Sequence, residues 1–261
     1  MKRTIMIVLA IAVALSMTAC SALDALLSVN VFAPFAGVSA GAIEKATPDE
    51  LVEMSGSESF YETLADDPEL KDAILDKIDE AIDGSTVGSA EYEELLVLAA
   101  NIELQTSPAG DLINNVGGVV EVFLSGDTSS IAPESFITNI LPETVYDEAT
   151  GVLDETSFIA MINALEEANV YYERLGNNLG TDGLDDSISA GDVVQAAIIS
   201  ALVSSIEIPT AEAGNYDSTG AYLYALITDD SDSITAPEFT EPNLESGYLA
   251  ALLAAAEISF E

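Results

Sequence analysis

Side chains able to do acid–base or ligand chemistry are abundant in this sequence, but they are of one kind. Adjacent carboxylates recur at Glu93/Glu94, Glu166/Glu167 and Asp185/Asp186. Catalysis by two carboxyls needs a fixed separation and divergent pKa values, and adjacency along a helix supplies neither. Such pairs read as solvated helix faces. The 261-residue chain has no His, no Trp and a single cysteine, Cys20. That excludes a Ser-His-Asp triad, His-ligated zinc and an internal disulfide. Val116-Gly117-Gly118 lacks the lysine of a phosphate loop. Arg174, the only arginine after Arg3, follows Tyr171 and Tyr172. It falls near the end of a helix expected over 155–176, where a cation favours the negative dipole end. A structural role there outweighs the capture of an anionic partner. The sequence therefore predicts a protein that is not an enzyme.

Acidic residues also gather in short clusters: Asp127, Asp182-Asp185-Asp186 and Asp229-Asp230-Asp232. The stretch from Gly180 to Asp192 resembles half of an EF-hand or dockerin loop. With Ile188 at the eighth loop position, Asp185 and Asp192 fall on ligand positions five and twelve, while Thr181 and Gly183 stand where carboxylates belong. Asp182, Asp185 and Asp192 are thus the calcium candidates, and no other cofactor is implied. The competing reading is helix entry. Four segments, Ser130–Phe136, Val152–Phe158, Ser187–Val193 and Ser233–Phe239, place an aliphatic residue, a capping residue and a bulky apolar residue at the spacing of a hydrophobic staple. Ser189/Asp192, Thr235/Glu238 and Thr47/Glu50 also have capping-box spacing. Helix entry is the reading adopted.

The elements around these residues are helical nearly throughout. Between Asp67 and Gly84, Leu70, Ile74, Ile78 and Ile82 recur every four residues behind a capping Asp67 and Pro68 at the first helical position. Gly84 is expected to stop that helix. The same signals predict helices near 48–54, 57–66, 89–106, 110–125, 133–141, 155–176, 190–207, 216–228 and 244–258. Strand alternation is nearly absent, with Ser28–Phe32 the best exception. The helix from Asp192 is apolar almost all round and is expected at the centre. Gly117-Gly118 either breaks its helix or admits a close neighbour. The expected fold is all-α: a multi-helix bundle or an irregular array of helical hairpins. Staple residues 153 and 188 lie 35 apart, and Ala168-x₃-Tyr172 loosely resembles the small-then-aromatic contact of tetratricopeptide (TPR) repeats, whose period is about 34. Glu155 and Thr156 stand where that signature has Leu and Gly. The resemblance implies TPR-like hairpins.

The amino terminus carries an address. Met1-Lys2-Arg3 is followed by an uncharged apolar run, Thr4 to Met17. This matches an export signal and falls short of the roughly 20 residues of a membrane span. Met17-Thr18-Ala19-Cys20 resembles the lipobox of bacterial lipoproteins, with Met17 in place of the usual Leu. The resemblance implies removal of residues 1–19 and lipidation of Cys20. Ser21 after the cysteine favours the outer membrane by the same resemblance. Residues 20–45 form an apolar membrane-proximal segment, packed on the body or lying at the bilayer surface. Residues 46–261 form a single acidic helical domain. Val193–Ile206 is too short to span a membrane.

Charge bounds the partners. Forty-six acidic residues face six basic ones, a formal net charge of −40, which excludes a nucleic-acid partner. Mutual repulsion disfavours the compact state at low salt and predicts a saline habitat. The expected function is that of a lipid-anchored envelope adaptor docking another protein. The alternative is a helical lipoprotein that encloses a small ligand; it weakly resembles the TPR-like lipoproteins that accompany TRAP-type transporters. A calcium-binding helical protein is a further alternative.

Overall fold

The computed structural model describes residues 38–113, 141–147, 149–179, 185, 187–204, 206–228, 234–235, 238–239 and 246–255. The signal segment, Cys20, Ser28–Phe32, Gly117-Gly118, the staple at Ser130–Phe136 and Asp182 lie outside these residues, as do all but the last residue of the helix expected over 133–141 and the acidic residues Asp127, Asp186, Asp229, Asp230 and Asp232.

Helix starts follow the sequence chemistry closely. After a short α1 (Ala40–Ile43), α2 (Pro48–Met54) opens on a full capping box: Thr47 Oγ1 accepts from the Glu50 N–H, and the Glu50 carboxylate accepts from the Thr47 N–H at 2.8 Å. Next come α3 (Glu58–Asp66) and α4 (Pro68–Gly84), whose cap Asp67 accepts from the Leu70 N–H at 3.1 Å. Helix α4 buries Ile74, Leu75, Ile78 and Ile82 as one stripe. Gly84 is its last helical residue and does not take a positive φ; Ser85, extended and with its Oγ on the Ala81 carbonyl, closes the helix instead.

Helix α5 (Ala90–Gln105) starts at Ser89, which caps the Tyr92 N–H, and the chain is helical again at 108–113. A small antiparallel hairpin, β1 (Tyr146–Asp147) and β2 (Val152–Leu153), leads into α6 (Glu155–Asn178). Its turn is held by Asp147 Oδ1, which accepts from Ala149, and by Gly151 at φ +68°. At the mouth of α6 the expected cap forms: Asp154 Oδ1 accepts from the Ser157 N–H at 2.8 Å, with Phe158 buried beyond it.

Helix α7 (Ala190–Ser204) stops short of the expected residue 207. Ile206–Glu207 instead form β3, paired antiparallel with β4 (Glu238–Phe239). Pro209 follows closely, and a proline disfavours helix in the residue before it. This ladder also overturns the helix start expected at Ser233–Phe239. The Thr235 N–H goes to Glu212 Oε1 at 2.8 Å and its carbonyl accepts from the Tyr222 hydroxyl at 2.7 Å, while the main chain of Glu238 pairs with Glu207. Helices α8 (Thr219–Thr228) and α9 (Tyr248–Ala255) complete the described chain, α9 entering behind Gly247 at φ +85°.

The fold is all-α, and its centre differs from expectation. Helix α5 packs on α2, α3, α4 and α6; α6 in turn packs on α5, α7, α8 and α9. The α5–α6 pair is therefore the axle of the molecule, with α7 buried at its side through Val193, Val194, Ala196, Ala197 and Ile199. Residues 38–45 already belong to the body: Ile43 is fully buried, and the main chain of Val38 bonds Ser59 Oγ and Thr63 Oγ1 of α3. Among the described residues no helix is long and apolar enough to cross a membrane.

Candidate functional site

The loop before α7 uses its carboxylates to order itself. Asp185 Oδ1 accepts from the Ser187 N–H at 3.0 Å, and that bond holds its carboxyl below the usual aspartate range. Asp192 Oδ2 accepts from the Ser189 N–H at 3.3 Å and from its hydroxyl at 2.6 Å, while the Asp192 N–H returns a bond to Ser189 Oγ. This is the capping box read from the sequence, with Asp in the place of Glu. Among the described residues no three His, Cys, Asp or Glu side chains come together to hold a metal ion.

Adjacent carboxylates diverge, as a helix with 3.6 residues per turn requires. Glu93 is buried and accepts from the Asp185 N–H at 2.9 Å, tying the loop before α7 to α5. Glu166 accepts from Thr219 Oγ1 of α8 at 2.6 Å, whereas Glu167 meets Glu103 of α5. Neither pair sets two carboxyls toward one reacting atom.

The arrangement that sequence reasoning missed is an ionic seam where α4 meets α5 and α6. Lys71 Nζ of α4 donates to Glu103 Oε2 of α5 at 2.6 Å, and Glu167 of α6 lies against that pair. Two turns along α4, Asp79 accepts from the Tyr171 hydroxyl at 3.3 Å, and Arg174 pairs with Asp83 at 3.1 Å and more loosely with Asp79 at 3.9 Å. Burial pushes the Asp79 carboxyl above the usual range, against the opposing pull of Tyr171 and Arg174. Arg174 is not in the last turn of its helix, because α6 runs on to Asn178; it acts across the seam on α4 and not on its own dipole. Lys77 of α4 donates to the carbonyls of Glu44 and Ala46 at 2.7 and 3.1 Å, closing the end of α1. The scarcity of cations was the available signal. Their hydrogen-bond partners stand 31 to 91 residues away in sequence, beyond the reach of any local pattern.

A second polar group sits where α3, α5, α6 and α7 converge. Gln195 Nε2 donates both to Asn101 Oδ1 and to the Tyr172 hydroxyl, each at 2.8 Å. Tyr172 is fully buried beside Ala168, the pair singled out in the sequence. Burial pushes the phenols of Tyr172 and Tyr61 well up, with the Asp192 charge adding to it, so both stay protonated at neutral pH and serve as hydrogen-bonding groups. Comparison with protein-family models, with curated proteins and with solved structures finds no match for this chain.

Proposed function

We propose that the protein is a lipid-anchored adaptor of the cell envelope, held to the membrane through Cys20 and presenting an acidic helical body to a protein partner. The observation that carries the reading is the direction of its cations. Of the four basic residues among the described residues, Lys71, Lys77 and Arg174 are turned onto groups of the same chain, and Lys45 is exposed. The charge on the described outer face is therefore dominated by carboxylates, with a few exposed aliphatics among them, including Val87, Val170 and Ile227. Such a surface suits recognition of a basic protein face more than chemistry on a bound molecule. Ser21, directly after the lipobox-like Cys20, supports the outer membrane as its location.

The polar group around Tyr172, Gln195 and Asn101 favours one alternative: helical hairpins, TPR-like in character, that enclose a small ligand in the manner of transporter-associated lipoproteins. Calcium at Asp182, Asp185 and Asp192 is less favoured, since the ion would compete with Ser187 and Ser189 for two of these carboxylates.

In-cell crosslinking followed by purification under denaturing conditions separates the two main readings. The adaptor reading expects one discrete crosslinked species, lost when the partner's basic face is neutralised. A small molecule seen by native mass spectrometry, with no crosslinked protein, would replace it by the ligand-binding reading. Labelled fatty acid should enter the wild type and not Cys20→Ser; equal labelling refutes the anchor.

A further inference from the structure

Thr235 is held by its main chain on both sides. Its N–H donates to Glu212 Oε1 at 2.8 Å and its carbonyl accepts from the Tyr222 hydroxyl at 2.7 Å, while Thr235 itself is exposed. Three residues on, Glu238 and Phe239 pair antiparallel with Glu207 and Ile206 of β3. The groups that receive this strap are fixed by contacts of their own. The Glu212 N–H donates to the Pro209 carbonyl at 2.8 Å and its Oε2 accepts from Asn215 Nδ2 at 3.2 Å. Tyr222 is fully buried, edge-on to Tyr216. Holding a segment by its N–H and C=O groups along a strand edge is the mode of β-strand addition, in which main-chain bonds supply the affinity. We propose that Ile234–Thr235 and β4 form a displaceable strap, and that the edge they cover, β3 with Glu212 and Tyr222, takes an extended segment of a protein partner in their place.

Charge decides which segment displaces the strap. The register of the ladder sets Glu238 opposite Glu207. Like charges at directly opposed positions weaken a strand pair, and opposite charges strengthen it. The strap is thus mismatched to its own edge at this position, and an extended segment with a lysine or arginine there is the better occupant. The bonds made at Thr235 are main-chain bonds, which any residue except proline can supply in full. A second copy of this chain gains nothing by exchange, because its strap brings the same glutamate. The occupant is therefore a basic extended segment, the chemistry that an acidic adaptor selects. The inference rests on the adaptor reading for the existence of that partner, whereas the strap and its edge rest on the hydrogen bonds and the register.

The test uses the full chain in detergent and fluorescent synthetic peptides spanning residues 231–241: the natural sequence, Glu238→Lys, and Glu241→Lys. The last has the same net charge as the second but carries its lysine beyond β4. The Glu238→Lys peptide should bind about threefold or more tightly than either of the others. Equal binding of the two lysine peptides overturns the proposal. Thr235→Pro in the chain removes the N–H that Glu212 accepts, which loosens the strap and should tighten peptide binding about tenfold. Adding Glu212→Ala to that variant should reverse the gain, since the loosened strap no longer uses Glu212 and the peptide does. No saturable binding to the Thr235→Pro chain, or binding indifferent to Glu212→Ala, overturns the proposal. Should Thr235→Pro not fold, hydrogen exchange of the wild type decides: the Glu238→Lys peptide must speed exchange of the Thr235 amide, and unchanged protection overturns the strap. Peptide binding without any protein crosslinked in the cell keeps the strap and refutes the adaptor; a discrete crosslink without peptide binding does the reverse.

Discussion

At Gly176 the main chain of α6 lies so close to α9 that a side chain has no room. A Cβ there would stand 2.6 Å from the Tyr248 carbonyl oxygen, a main-chain atom that cannot swing aside. Gly220 does the same for α8, whose added Cβ would meet the main chain of Ile159 at 3.0 Å. Gly176→Ala should therefore lose about 1–3 kcal/mol of unfolding free energy by forcing the two helices apart, although alanine is the better helix former. Chemical denaturation reads this directly, and an unchanged or raised midpoint would mean that α9 does not dock as described. At the capping residues acid is destabilising. The Ser157 N–H holds the Asp154 carboxyl below the usual aspartate range, as the Ser187 N–H does for Asp185. Stability from such groups is present above the unfolded-state value and is lost as pH falls through the lowered folded-state value. The destabilisation caused by Asp154→Ala should thus be constant from neutral to mildly acidic pH and shrink only in stronger acid. A difference that vanishes already at mildly acidic pH would show that the cap bond is not formed.

Helices α5 and α7 show what a sequence reveals about an element and what it hides. Start signals were legible because they are local: Thr47/Glu50, Asp67, Asp154 and Ser189 all cap the helices their spacing announced. The central place of α5 was not. Its Glu93 and Glu103 make the pattern look amphipathic, yet both are buried, because one receives the Asp185 N–H and the other Lys71. Helix α7 is more apolar along its length but lies beside the axle. The β3–β4 ladder was hidden for a related reason: Thr235 is diverted from capping by Glu212 and Tyr222, partners 23 and 13 residues away. The seam itself was illegible, since it needs three helices already in place. If α5 is the axle, Leu96→Ala, at a fully buried position, should cost about 2–5 kcal/mol. Val170→Ala on the open side of α6 should stay within about 0.5 kcal/mol of the wild type. Equal costs at the two sites, measured by urea unfolding, would refute the assigned core. Ser189→Ala, which removes the hydroxyl from the α7 cap, should cost about 1 kcal/mol.

Across the whole molecule, the disposition of charge decides under which conditions the fold is stable. Forty-six acidic side chains stand against six basic ones in the full chain, and three of the basic ones are tied into the α4 seam and the end of α1. Of those contacts Lys71–Glu103 is short and largely buried, so salt weakens that pair little. The repulsion among surface carboxylates acts over longer distances and is strongly screened. Raising ionic strength from about 0.1 M to about 1 M shortens the screening length from about 10 Å to about 3 Å. The repulsive term should then shrink much more than the seam does, and the compact state should gain. The melting temperature is accordingly expected to climb steadily over that range with sodium chloride, and to climb equally with potassium chloride if screening, and not ion binding, is the cause. Lys71→Met, which leaves Glu103 unpaired inside the seam, should lower the curve at every salt concentration without flattening its slope, because the slope belongs to the surface. A melting temperature that falls or stays level with salt would mean that attraction across the seam outweighs repulsion over the surface, and the saline setting inferred from the composition would have no physical basis.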